Sequence, residues 1–198
     1  MNKDPRKNLR SSLRQARHDI NSEGQIKAAE DLHDSVVKQD FFNEASRLAF
    51  YLSFDGEIDP VLIMQKALTE GKFCYLPVIS EESSSKLSFA PFHQGTKLTP
   101  NKWGISEPTL PQIPIPLASL DVVFVPLVGF NKYCFRLGMG KGFYDRAFSF
   151  KSAKRHRKPL LVGLAHECQL TDDILAASWD VRLEMVITPK RIYRADSQ

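Results

Sequence analysis

The chain has 198 residues, of which 42% are hydrophobic and 25% charged, the profile of a packed globular protein of one-domain size and not of a disordered or fibrous one. Its three cysteines, Cys74, Cys134 and Cys168, are odd in number and widely spaced, which excludes a disulfide framework and a zinc knuckle and fits a reducing cytoplasm. A formal charge of +4 from 27 basic and 23 acidic residues calls for no nucleic-acid partner, and the polar N-terminus and short apolar runs predict neither a signal peptide nor a membrane span.

In chain order, Leu9, Leu13, Ala16 and Ile20 recur at helical spacing and predict a helix over residues 5–20, with Pro5 in its first turn. At about 100° per residue, Lys3, Arg6, Lys7, Arg10, Arg14 and Arg17 fall within roughly a 100° arc beside that apolar stripe. One edge is then anchored and the cationic edge stays free, either as a solvated face or as a seat for a polyanion. Ser22 and Gln25 have the pattern of a capping box and predict a second helix to about Gln39. From Arg47 onward, short apolar runs predict strands at 48–52, 73–79, 87–92, 122–128, 160–164 and 185–187. Between the first two, Asp59 and Pro60 open a helix that Gly71 closes, which makes a β-α-β unit. Residues 73–79 and 87–92 predict a hairpin, so the expected fold is α/β: a single domain over residues 1–198, with three α/β/α layers around a mixed, mostly parallel sheet. Residues 81–86, with three serines, and 108–116, with four prolines, read as surface connections.

The stretch Arg136-Leu137-Gly138-Met139-Gly140-Lys141-Gly142-Phe143-Tyr144-Asp145-Arg146 carries the clearest chemistry. Glycines at alternate positions allow tight turning and bring successive N–H groups against an anion without Cβ obstruction. A helix beginning near Phe143 would present its N-terminus to phosphates. Arg136 and Lys141 add positive charge, and Asp145 is placed to hold magnesium between phosphates. The pattern is neither a P-loop nor a dinucleotide-binding fingerprint. Taken alone, the glycines fit a plain turn ahead of an amphipathic helix equally well, and it is the flanking charges that favour the phosphate reading. Elsewhere, Trp103 suits either stacking or core filling, and Glu57 beside Gly56 suits either a ligand or plain surface. Asp180 beside Trp179 suits either a metal or a cap. The run Lys151, Lys154, Arg155, Arg157 and Lys158 reads as a solvated loop, and His156 and His166 lack metal-ligand spacing.

Pro126-Leu127-Val128-Gly129-Phe130 followed by the Arg136–Arg146 block resembles the signature of the 5-formyltetrahydrofolate cyclo-ligase family. Further matching features run in order: the basic first helix, Tyr51-Leu52-Ser53 with Glu57, Trp103-Gly104-Ile105 with Glu107-Pro108, Val162 to Ala165, and Asp180 ahead of Val186-Ile187-Thr188. The resemblance implies a reaction in which the formyl oxygen of 5-formyltetrahydrofolate attacks the γ-phosphate of ATP and N10 then closes the ring, with Mg2+ as cofactor. It places ATP contacts on Arg6, Lys7, Arg10 and Arg136 to Tyr144. Folate contacts fall on Leu52, Glu57, Trp103 and Met139 to Phe143, and metal ligands on Asp145 and Asp180. Arg136, Lys141 and Asp145 are the expected catalytic groups. The implied protein is a cytoplasmic monomer acting on small molecules, with no nucleic-acid or membrane partner. Two departures stand out: Cys134 occupies a position where the family usually has glycine, and Arg6 one where lysine is also common. Against this reading stand a sugar-phosphate isomerase or acyl-transfer enzyme of similar fold, and a basic nucleic-acid-binding module.

Overall fold

The computed structural model describes residues 5–79, 86–109, 113–152 and 158–195. Lys3, the 81–85 and 110–112 parts of the expected connections, and Lys154, Arg155, His156 and Arg157 lie outside the described residues. The helices are α1 (Pro5–His18), α2 (Ser22–Val36), α3 (Asp40–Glu44), α4 (Val61–Thr69) and α5 (Phe143–Ala147). The strands are β1 (Arg47–Ala49), β2 (Phe73–Ile79), β3 (Leu87–Phe92), β4 (Leu98–Pro100), β5 (Ser106–Pro108), β6 (Val122–Val125), β7 (Gly129–Phe130), β8 (Arg136–Leu137), β9 (Leu160–Leu164), β10 (Met185–Ile187) and β11 (Ile192–Arg194). A seven-stranded sheet runs in the order β11-β10-β9-β6-β1-β2-β3. Its inner strands are parallel, and antiparallel β3 and β11 close the two edges.

Strand alternation divides the core. Leu48, Phe50, Leu76, Phe124, Val162 and Ile187 face one side, where α2, α3 and α4 bury Leu32, Val36, Phe42 and Ile63 against them. The Phe50 and Phe124 rings lie 5.0 Å apart there, and truncating either to alanine is expected to cost about 3–5 kcal/mol. Ala49, Tyr75, Val123, Val125, Leu161 and Val186 face the other side, beneath Phe130, Cys134 and Phe148. Three layers are present as expected, but the second cover is built from short α5, the β7–β8 hairpin and irregular chain.

Local differences from the sequence-based expectation have simple causes. Asn21, not Ser22, caps α2: its extended backbone lets the side chain accept from Gly24 N at 2.8 Å, while the Gln25 side chain turns to the Arg17 carbonyl. Strand β6 stops at Val125 because Pro126 has no N–H for the ladder. The β-α-β unit and the β2–β3 hairpin stand as expected, with Val61 N donating to Asp59 Oδ1 and Gly71 left-handed at φ 74°. The hairpins β4–β5 and β7–β8, edge strand β11 and α3 are too short to show a period. Pro108, assigned to a connection, ends β5.

Both small hairpins close with the same turn, Asn101-Lys102-Trp103-Gly104-Ile105 and Asn131-Lys132-Tyr133-Cys134-Phe135. In each, the asparagine Oδ1 accepts the N–H groups two and four residues on, and the fourth residue donates back to the asparagine carbonyl. The fourth residue must be left-handed: Gly104 has φ 78° and Cys134 φ 63°. Cys134 therefore keeps glycine's conformation at a conformational cost of about 1–2 kcal/mol. It is held there by its buried thiol, which donates to Tyr193 O at 3.5 Å, and by its carbonyl, which accepts from Leu183 N.

Candidate active site

The chain leaves β1 toward β2 on one side and later returns to place β6 on the other, so β1 and β6 flank the point where the strand order reverses. Ligands in open α/β sheets gather beyond the strand C-termini at such a point. A cavity of about 1040 Å³ lies there, lined by the loop after β1, the segment after β6, the glycine loop and α1.

Helix α1 docks because Gly129 has no side chain: a Cβ there would lie 2.5 Å from Leu13 Cδ1. This contact sets the helix phase, and the cationic arc splits in two. Arg6, Arg10 and Arg17, on the side nearer the apolar stripe, line the cavity. Lys7, about 100° round from Arg6, is exposed and does not line it, while Arg14 is half-exposed against Asp55. The arc is not the free edge that the sequence suggested. Arg6 Nη2 bonds Asp180 Oδ2 at 3.0 Å and the Leu175 carbonyl at 2.6 Å, Arg10 Nε bonds the Gly138 carbonyl at 2.9 Å, and Arg14 and Arg17 share Asp55. The balancing carboxylates come from distant loops, which a count along the helix cannot find.

The glycine loop leaves β8 at Leu137. Gly140 and Gly142 are left-handed, with φ 92° and 64°, and a Cβ on Gly140 would stand 3.4 Å from Arg10 Cζ. Glycine thus lets the guanidinium lie on the backbone. The expected helix begins at Phe143, but its five residues give little macrodipole, so the loop N–H groups and the cations dominate the field. Arg136 is nearly buried and bonds Asp145 Oδ1 at 2.7 Å, an oxygen that also accepts Val181 N at 3.1 Å. Its guanidinium lies 5.7 Å from the Tyr144 ring centroid, and burial pushes the Tyr144 hydroxyl pKa up. Lys141 and Met139 are exposed on the cavity wall.

Asp145 and Asp180 line the same cavity. Each has one oxygen, Asp145 Oδ2 and Asp180 Oδ1, with no hydrogen bond among the described residues. Those residues contain no group of three or more side chains suited to a metal. Magnesium fits this donor set, because it is commonly held by one or two carboxylates with phosphate and water oxygens completing an octahedron.

Beyond β1, Leu52 and Glu57 line the same cavity. Asp55 and Gly56, left-handed at φ 56° and 75°, turn the loop so that Phe54 N donates to Glu57 Oε2 at 3.2 Å. Burial pushes the Glu57 carboxyl up to about 7, against the lowering effect of Arg17. Trp103 is not a core residue: it is half-buried at the rim, edge-on to Phe143 at 5.8 Å, with Lys102 over its ring. His166 does not line the cavity. It is buried, and burial lowers its pKa to about 4.

The cavity therefore gathers every site residue expected from sequence except Lys7, and adds Arg17, Asp55, Arg146 and the exposed Trp179. Asp55-Gly56 carried a turn signal, and Trp179 only its adjacency to Asp180. Buried Arg17 was hidden inside the basic stripe.

An α/β sheet with a glycine loop, converging guanidinium groups and two carboxylates at its switch point has the build of an enzyme for phosphate-bearing small molecules. The 5-formyltetrahydrofolate cyclo-ligase family model matches residues 2–189. The chain is 40% identical over 150 residues to the 5-formyltetrahydrofolate cyclo-ligase of Escherichia coli, covering 75% of this chain and 81% of that one. It is 35% identical over 184 residues to that of Haemophilus influenzae, covering 92% and 97%. The structure of Aquifex aeolicus 5,10-methenyltetrahydrofolate synthetase superposes with a TM-score of 0.83 at 25% identity, covering 98% of this chain and 94% of that one. The chain belongs to the 5-formyltetrahydrofolate cyclo-ligase family. No helix among the described residues is long and apolar enough to cross a membrane.

Proposed function

We propose that the chain cyclises 5-formyltetrahydrofolate to 5,10-methenyltetrahydrofolate with ATP and Mg2+, acting as a one-domain cytoplasmic monomer. The observation that carries this reading is the contact of Arg10 with the Gly138 carbonyl, which joins α1 to the glycine loop in the cavity that also holds Glu57. Triphosphate lies along the Arg6, Arg10, Arg136 and Lys141 end, over the loop N–H groups. The pterin lies toward Leu52 and Trp103, with its N–H groups on Glu57. Held in line, the formyl oxygen attacks the γ-phosphorus and ADP leaves. N10 then adds to the activated carbon, its proton departs, and the C–O bond breaks to release phosphate. Asp145 and Asp180 would hold Mg2+, which neutralises phosphate charge. The protein's own share is alignment, charge stabilisation and exclusion of water. The half-buried walls at Trp103, Phe143 and Leu52 suit that last task.

The test is to mix protein, 5-formyltetrahydrofolate, Mg2+ and ATP and follow the near-ultraviolet band of the methenyl product. Product is expected only when all three small molecules are present. Full conversion without ATP would refute the ligase reading.

A further inference from the structure

The guanidinium of Arg17 has no exposed surface. A cation so completely buried is costly unless its N–H groups are used and a countercharge is at hand. Arg17 Nε donates to the Asp55 carbonyl and Nη2 to Asp55 Oδ2, both at 2.7 Å, and Nη1 donates to the Leu127 carbonyl at 3.2 Å. Nη1 also lies 3.9 Å from Glu57 Oε1. One side chain thus ties the loop after β1 to the segment after β6, across the switch point that forms the cavity. Gly56 lies against its stem, since a Cβ there would sit 3.4 Å from Arg17 Cγ. A buried ion pair is a poor source of stability compared with apolar packing of equal volume, so this tether is better explained by what it does for Glu57.

We propose that Arg17 is a positioning residue for the folate half of the reaction, acting through Asp55 and Glu57 to fix the 52–57 loop and aim the Glu57 carboxylate at the pterin. The proposal rests on the assignment of Glu57 to the pterin given above. Its electrostatic consequence can be read separately from its mechanical one. From the loop itself, the Asp55 charge pushes the Glu57 pKa up and the Phe54 N–H pulls it down; from α1, Arg17 pulls it down. Tyr51 on the chain after β1 and Tyr144 on α5 also face it, but burial pushes both phenols up, so they stay neutral. His18 reaches Asp55 at 2.9 Å from an exposed position, and His166, near 4, is neutral in the working range. Arg17 is therefore the neighbour whose removal shifts Glu57 without altering the loop's own charges. Losing it raises the Glu57 pKa above about 7.

The experiment compares wild type, Arg17→Met and Arg17→Lys by methenyl formation between about pH 6 and 9, the range that brackets the Glu57 titration. Arg17→Met is expected to raise the KM for 5-formyltetrahydrofolate by about 10- to 100-fold and the KM for ATP by less than about 3-fold. It should also move the acid limb of the folate kcat/KM profile upward by about one pH unit. Arg17→Lys keeps the charge and should leave that limb in place while restoring only part of the folate KM. A filler role lowers activity at every pH without moving the limb, so an unshifted limb in Arg17→Met, or equal rises in both KM values, overturns the proposal. Should the methionine variant fail to fold, the lysine variant decides: a raised folate KM at constant ATP KM supports the claim, and wild-type behaviour or parallel rises refute it. No product from the wild type removes the ligase reading and this proposal together, whereas with an active wild type a negative result counts against Arg17 alone.

Discussion

Replacing Asp145 with asparagine tests the proposed metal role apart from folding, because one carboxylate oxygen has no hydrogen bond among the described residues while the other is bonded to the protein. Its Oδ1 accepts from Arg136 Nη2 and from Val181 N, and an amide oxygen can take both bonds in nearly the same place. What is lost is charge. The Arg136 side chain is only 6% exposed, and Asp145 is its sole salt-bridge partner among the described residues. Breaking such a pair outright costs about 3–5 kcal/mol. Exchanging a charged acceptor for a neutral one costs less, about 1–2 kcal/mol, the difference between charge-assisted and ordinary hydrogen bonds. For a chain of this size that lowers Tm by roughly 2–8 °C. Turnover should fall much further, by about 100-fold or more, equivalent to about 2.7 kcal/mol of transition-state stabilisation. The assay is methenyl formation against Mg2+ concentration, set beside thermal melting of the same samples. If activity at limiting Mg2+ equals wild type, or if cooling to a temperature where the variant is fully folded restores it, Asp145 is not a metal ligand.

Arg10→Ala removes the guanidinium that lies over the glycine loop, and the KM for ATP should rise by about 10- to 150-fold while that for folate changes little; equal rises would mean a general loosening of α1. At the twin turns, Gly104→Ala meets no atom within 4 Å, so its loss of about 1 kcal/mol measures left-handed strain alone. Cys134→Gly should accordingly be more stable than Cys134→Ala by a similar amount despite its smaller side chain, and the reverse order in chemical denaturation would refute the strain account. Glu57→Gln should show a pH-dependent stability difference. A carboxyl raised from 4.5 to about 7 binds its proton more tightly in the folded state, so its contribution is full below about pH 4.5 and is lost as pH rises through 7. At pH 8 the charged form costs the folded protein roughly 3 kcal/mol, and the glutamine variant should then be more stable than wild type by up to that amount, with near equality at pH 4.5. A difference independent of pH would contradict the raised value.

Chemistry carried by contiguous residues was legible in the sequence, and chemistry completed by distant residues was not. The block from Arg136 to Arg146 could be picked out as a site segment because its glycines and charges are adjacent, and it lines the cavity; the strands 73–79, 87–92 and 160–164 were fixed by apolar runs with turn residues at their ends. The phase of α1 was correct, yet phase alone could not say that Arg17 would be buried while Lys7 faced solvent. That division depends on Leu13 reaching the bare backbone of Gly129, a contact between residues far apart in the chain. Short β4, β5, β7, β8 and β11 carry no period to detect, and the likeness of the pentapeptides 101–105 and 131–135 became apparent only from their shared turn geometry.

Helix α1 also fixes how this region of the sequence can change in length. Arg6, Arg10 and Arg17 meet the cavity along one axis, and at 1.5 Å per residue the outer pair spans about 16 Å. Adding or deleting one residue between Arg10 and Arg17 turns one end of the row about 100° away from the other, which swings either the Arg10–Gly138 contact or the Asp55 tether away from its partner. A whole added turn restores the direction but displaces the contacts by about 5.4 Å, beyond the reach of a guanidinium already bonded at 2.7 to 3.2 Å. The first helix can therefore exchange residues on its outer face freely, but the number of residues between Arg10 and Arg17 is set by the distance between the glycine loop and the loop after β1.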